Sequence, residues 1–227
     1  MSLAAIKQSL SPRSPHDERA IGVALALLAY LSWGLLPLYW KQLQGVPSSQ
    51  AVAHRIVWSA AFCLIWLTLQ RRLPELVKVF FQWRTACILC ATGTLLGVNW
   101  LVYIWAVNQN RVLESSLGYF MTPLMNVLLG TVVLRETLRP KQWIAVALAT
   151  AGVLNFALRL NALPWIALCL ALTFSTYGLV RKQTAIKPIV GLAVEMIALS
   201  PLATIFLFRV HQQGVGAFGY SSHNNLF

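Results

Sequence analysis

Three titratable side chains stand where an apolar sequence can least accommodate them. Glu195 falls inside the apolar run Ile189–Phe208, and His54 and Arg55 fall just inside the run Val52–Gln70. A charged side chain near the middle of a lipid-embedded helix costs about 2.5–3.5 kcal/mol on insertion scales, so each is a functional candidate by default. Charges placed in this way suit gates or a proton-linked pair. The competing readings are structural. His54 and Arg55 can snorkel to a helix end, and Glu195 can serve a neighbouring amide or basic group.

A second set is polar or aromatic. Asn99 and Tyr103 share a helical face at i, i+4, Trp100 and Trp105 flank it, and Asn126 lies at similar depth in the next apolar run. Amides and rings together can hold a planar, amphipathic molecule by stacking and hydrogen bonding. Interhelical hydrogen bonding alone, at about 0.6–2 kcal/mol per contact, is the alternative. Pro123 should bend its helix and free a backbone carbonyl near Tyr119. Trp33, beside Ser32 and Gly34 and ahead of Pro37, either borders a kinked cavity or joins Tyr39 and Trp40 in an interfacial belt.

Cys63, Cys87, Cys90 and Cys169 all lie in apolar runs. Cys87 and Cys90 form a CxxC without a second pair, so they read as packing residues rather than zinc ligands. The four histidines are scattered. There is no glycine-rich nucleotide loop and no nucleophile spaced with a histidine and an acid. No enzyme, metal or cofactor is expected.

The elements that must position these residues are membrane helices. The chain has 227 residues, 58% hydrophobic and 11% charged, which places it in the membrane class. A net charge of +12 would suggest nucleic acid in a soluble protein. Here the basic residues fall between apolar runs, so the partner is the lipid bilayer and not nucleic acid. Thr85–Val107 and Ser115–Leu134 carry no charge and are joined by a short polar turn, the pattern of a helical hairpin across a bilayer. Five more runs, Ala20–Trp40, Val52–Gln70, Trp143–Leu158, Leu163–Val180 and Ile189–Phe208, complete an all-α fold of seven spans. The first run follows a polar, proline-broken stretch with no cleavage site, so it reads as an uncleaved helix.

Basic-rich and basic-poor connections alternate. Lys7, Arg13 and Arg19 precede the first span; Arg71, Arg72, Lys78 and Arg84 follow the second; Arg135, Arg139 and Lys141 follow the fourth; Arg181, Lys182 and Lys187 follow the sixth. The other connections carry Lys41, Arg111, Arg159 and Arg209, one each. Positive-inside then places the N-terminus in the cytoplasm.

An offset of 141 residues superposes Lys41-Gln42 on Lys182-Gln183, Ser32-Trp33 on Thr173-Phe174, His54 on Glu195 and Ser59 on Ser200. Spans six and seven thus read as a repeat of spans one and two. A five-helix unit has odd parity, so its copies are inverted, the plan of secondary transporters with substrate near the midplane.

Several segments carry a family resemblance: AYLSWGLLPLYWK (Ala29–Lys41), HRIVWS (His54–Ser59), NWLVYIWAVNQNRVLESSLGYF (Asn99–Phe120), TPLMNVLLG (Thr122–Gly130), QWIAVALATAGV (Gln142–Val153) and YGLVRK (Tyr177–Lys182). Through them residues 20 to about 225 resemble the RarD family of EamA-type permeases in the drug/metabolite transporter superfamily. The resemblance implies an inner-membrane permease of ten helices in two inverted five-helix repeats, associated by name with chloramphenicol sensitivity. It adds Tyr177 to the substrate-path candidates and implies a small-molecule substrate, a drug or metabolite. A proton as coupling ion and pairing of two copies are both compatible with it.

The expected organisation is therefore a cytoplasmic tail (1–19), one complete repeat (20–158), the first two helices of an inverted second repeat (159–208) and a polar extracytoplasmic tail (209–227). SSHNNLF (Ser221–Phe227) reads as a loop toward an eighth helix that does not follow. The alternative to a transporter is therefore a truncated membrane fragment that inserts without transporting.

Overall fold

The computed structural model describes residues 15–43, 45–159 and 164–216, so most of the first tail and the end of the last lie outside the described residues. Among the described residues the chain is entirely helical. The long helices are α1 (Pro15–Gln42), α2 (Ser48–Leu69), α4 (Trp83–Asn108), α5 (Val112–Val132), α6 (Pro140–Arg159), α7 (Trp165–Thr184) and α8 (Pro188–Gln212), with a short α3 (Leu73–Phe81) between the second and fourth. Each of the seven expected runs coincides with a long helix. Five of the helices are both long and apolar enough to cross a membrane: α1 from Ala20 onward, α2, α4, α6 and α8. The other two, α5 and α7, are of spanning length but carry more polar side chains, Ser115, Thr122 and Asn126 on one and Thr173, Ser175 and Arg181 on the other.

The α3 helix was not legible as an element; its residues read only as a basic connection. Pro74 in its first turn suits a helix start, where a missing N–H costs nothing. Leu76 and Val79 then turn inward onto Cys63, Leu67, Leu89, Val190 and Val194.

α1 forms a unit of its own, and its residues from Ala20 to Leu35 are exposed. It stays helical through Pro37. In the rest of the chain, α2 packs chiefly on α8 and α5 on α7, while α4 touches both pairs. Two close approaches explain why the pairs meet. A side chain at Gly93 would come within 3.1 Å of Glu195 Cβ, and one at Gly118 within 3.0 Å of Leu170 Cβ. Small residues at such points let helix backbones pack where apolar surface alone gives no preference over lipid. Among the described residues α6 buries none of its own and packs chiefly on α5.

The turns are closed locally. Arg71 (φ 56°) and Asn110 (φ 59°) lie in the left-handed region just past α2 and α4. Their neighbours complete paired bonds of the Schellman type: Arg72 N to Leu67 O at 2.9 Å, and Arg111 N to Ala106 O at 2.8 Å. Ion pairs then gather the basic connections at one end. Lys187 bridges Glu75 at 3.2 Å, and Lys182 bridges Glu136 at 3.1 Å. Glu136, which follows the basic Arg135, thus has a partner on α7. At the opposite end Asn108 Nδ2 donates to Val46 O at 3.2 Å and Gln50 Nε2 to Val215 O at 3.0 Å.

Candidate functional site

At the basic end, three side chains from two helices meet around one carboxylate on a third. Glu195, the eighth residue of α8, lies about 10 Å along that helix, and its side chain is 0% exposed. Thr92 of α4 donates to its Oε1 at 2.7 Å; the hydroxyl also lies 3.0 Å from Leu89 O. A hydroxyl has one proton, and the shorter, charge-assisted contact takes it. Tyr177 of α7 reaches Oε2 at 3.4 Å, and Arg181 Nε approaches Oε1 at 3.5 Å. Tyr177 and Arg181 share a face of α7 at i, i+4.

The guanidinium lies directly on Gly191, where any side chain would collide with it. Its Nη2 reaches Pro188 O at 3.4 Å, while its Nη1 is buried without a hydrogen-bond partner. The pair is therefore looser than the bidentate fork that Arg and carboxylate favour. Thr92 holds the carboxylate at 2.7 Å, and Arg181 supplies compensating charge from further out, at 3.5 Å.

Toward the opposite end lies an aromatic centre. The Arg55 guanidinium sits 3.7 Å above the Trp100 ring, a close cation–π contact. Tyr103 and Tyr119 meet edge-to-face at 5.9 Å and 73°. Between the two centres Asn99 commits its amide to α7, donating to Leu170 O at 3.0 Å and Thr173 Oγ at 2.9 Å. That is the interhelical bond its position allowed for.

The remaining sequence candidates lie apart. Asn126 lines a polar cavity of about 480 Å³ with Ser175 and Gln142, at whose rim stand Glu136 and Lys182. His54 borders a separate cavity of about 320 Å³ with Gln50 and His211. Trp33 is half exposed on α1, edge-on to Tyr30 at 5.9 Å, and belongs to the other unit. At the start of α5 the Ser115 hydroxyl donates to Val112 O, and Glu114 pairs with Arg111 at 2.6 Å. The four cysteines are unbonded. Among the described residues no group of three His, Cys, Asp or Glu converges as a metal site.

Sequence reasoning missed Thr92, Arg181 and Thr173 as site residues. Arg181 had counted only as a topological charge. The i, i+4 spacing from Tyr177 was the available signal.

Residues 20–158 match the model of the EamA-like transporter family. The chain is 44% identical to an uncharacterised transporter of Pseudomonas aeruginosa over 82% of its own length and 62% of the relative's. It is 40% identical to the RarD protein of Escherichia coli, covering 87% of this chain and 67% of that one. The chloramphenicol-sensitive protein RarD of Pseudomonas aeruginosa is 37% identical over 82% of this chain and 64% of its own length. No solved structure matches. The chain thus spans a little under two thirds of the length of the first of these relatives. With its helices of membrane-crossing length and this kinship, the chain belongs to the EamA-like transporter family, among the RarD permeases.

Proposed function

We propose that the chain is the greater part of an inner-membrane secondary transporter for a small amphipathic metabolite or drug, with seven spans and the N-terminus in the cytoplasm. What supports the topology is the gathering of three basic connections at one end by Glu75–Lys187 and Glu136–Lys182. Residues 20–158 form one repeat and 159–208 the start of an inverted second. Transport proceeds by alternating access between them.

The observation that carries the mechanism is the fully buried Glu195 with Thr92, Tyr177 and Arg181 around it. Ionised, Glu195 holds α7 to α8 and α4 and closes the cytoplasmic side. Protonated, it no longer compensates Arg181. That side chain is three residues from the end of α7 and can extend to the cytoplasmic surface. The contact between α7 and α8 then loosens. Proton binding thus trades against closure, and the Arg55–Trp100–Tyr103–Tyr119 centre receives the planar part of the substrate from the other side.

A test uses proteoliposomes carrying the full chain, with labelled chloramphenicol as the probe and an imposed pH gradient. Gradient-dependent accumulation that disappears in Glu195→Gln is the expected result. The same substitution at the matching position of a longer RarD protein should do likewise, while Asn99→Ala lowers the rate. Accumulation in Glu195→Gln equal to that of the unaltered chain would refute the coupling. A second reading has its own observation, the span of under two thirds of the first relative together with the wholly unburied α6. On that reading this polypeptide inserts but transports nothing alone. Absent accumulation here with activity in the longer protein would establish it.

A further inference from the structure

The short α3 has an unusual distribution of side chains. Its inward positions, Leu76 and Val79, are buried against α2, α4 and α8. Its outward face, Pro74, Val77, Lys78 and Phe81 at i, i+3, i+4 and i+7, is also mainly apolar. Phe81 is 85% exposed, Trp83 beyond it 69% and Val77 51%. A nine-residue helix reaches only about 14 Å and cannot cross a bilayer. Water is a poor solvent for this face, and the hydrocarbon core is a poor solvent for the charges beside it.

Those charges are of one sign. Lys78 lies on the apolar face and Arg84 one residue beyond Trp83, with its guanidinium 5.5 Å from that ring; both are exposed. Glu75, the one acid of the helix, is taken up by Arg72 at 3.0 Å and Lys187 at 3.2 Å. The outward face therefore presents ring and alkyl groups flanked by two cations, and the neighbouring anion is already paired. Aromatic and alkyl groups suit the boundary between acyl chains and headgroups, and the cations suit a phosphodiester.

We infer that α3 with Trp83 and Arg84 is a binding surface for an anionic phospholipid, whose phosphodiester lies between Lys78 and Arg84 and whose acyl chains cover Val77 and Phe81. The inference is independent of what the protein transports, and it commits the surface to lipid rather than to free phosphate or a protein. The Glu75 bridges hold the helix in the plane of the interface by tying it to the start of α8.

The test is native mass spectrometry of the full chain in neutral detergent, titrated with short-chain phosphatidylglycerol, short-chain phosphatidylcholine or inorganic phosphate. Phosphatidylglycerol should be retained at about tenfold lower concentration than phosphatidylcholine, and phosphate should neither be retained nor compete. Lys78→Gln with Arg84→Gln should erase the tenfold preference. Arg135→Gln with Arg139→Gln, on another turn at the same end, should leave it intact. Phe81→Ala with Trp83→Ala should weaken retention of both lipids alike. Equal retention of the two lipids would overturn the inference. So would a preference that survives the first pair of substitutions or vanishes with the second, or full displacement by phosphate.

Discussion

The two charged centres of this protein hold an arginine in opposite ways. Arg181 sits among directional partners: a carboxylate, a tyrosine hydroxyl nearby and a backbone carbonyl. The charge of Arg55 rests 3.7 Å from the centre of the Trp100 ring. Directional contacts are strong in one arrangement and weak in all others, whereas stacking changes little as the ring slides. The first centre is therefore suited to two discrete states, and the second to accommodating a partner of variable shape. The proposed transport cycle, closing at one end and admitting a ligand at the other, would use both kinds.

The contrast can be broken most forcefully at Arg181. Arg181→Gln leaves Glu195 buried without compensating charge and should cost about 3–5 kcal/mol of stability, measured by unfolding in mixed micelles. Glu195→Gln keeps the hydrogen bond to Thr92 and should cost less. The double substitution should cost less than the sum, and simple additivity would show that the two do not act as a unit.

Gly191→Ala tests the same centre without touching a charge. The new methyl group meets the guanidinium of Arg181, and overpacking of this kind costs about 1–3 kcal/mol. In an Arg181→Gln background the penalty should largely vanish. A penalty unchanged in that background would locate the strain in the helix backbone instead.

At the other centre Trp100→Leu should remove only about 0.5–2 kcal/mol of stability, the range of a cation–π contact, while reducing probe accumulation strongly. A large stability loss with normal accumulation would reverse the assignment of roles. The smallest effect belongs to an exposed pair that serves as the control. The hydrogen bond from Arg72, and after it that from Lys187, holds the Glu75 carboxyl down to about 2, against an ordinary value of 4.5. A depressed carboxyl stabilises fully above its ordinary value, so this contribution is present at pH 5 and is lost as pH falls from about 4.5 toward 2. Amide protection across α3, taken relative to the intrinsic exchange rate at each pH, should fall over that window and stay level there in Glu75→Gln.

Apolar runs, most of them uncharged and near spanning length, were enough to place each long helix, because a bilayer imposes its thickness on the sequence. Glu195 was legible for the same reason: a lone acid in an apolar run has no cheap explanation. Its partners were not. Arg181 stands near a helix end, where a cation orients the chain in the membrane whether or not it also binds something. Thr92 is 103 residues from Glu195, and only the fold brings them to hydrogen-bonding distance. Asn99 was legible as a polar group at depth, but its partner Thr173 was not, since a threonine can bond its own helix, as Thr173 does to Cys169 O at 2.7 Å. α3 escaped because nine residues with charges at both ends resemble a connection until the burial of Leu76 and Val79 is seen.

One helix has a consequence for how the chain is made. α7 turns Tyr177 and Arg181 toward Glu195, and Ser175, Gly178 and Lys182 toward the polar cavity beside α5. Polar on two sides, it falls outside the set of helices apolar enough to enter lipid on their own account. Its chief contacts, α5 and α4, both precede it in the chain. When α7 leaves the ribosome its partners Asn99 and Thr122 have already been synthesised, whereas Glu195 follows on α8, so the two polar sides of this helix are completed at different times.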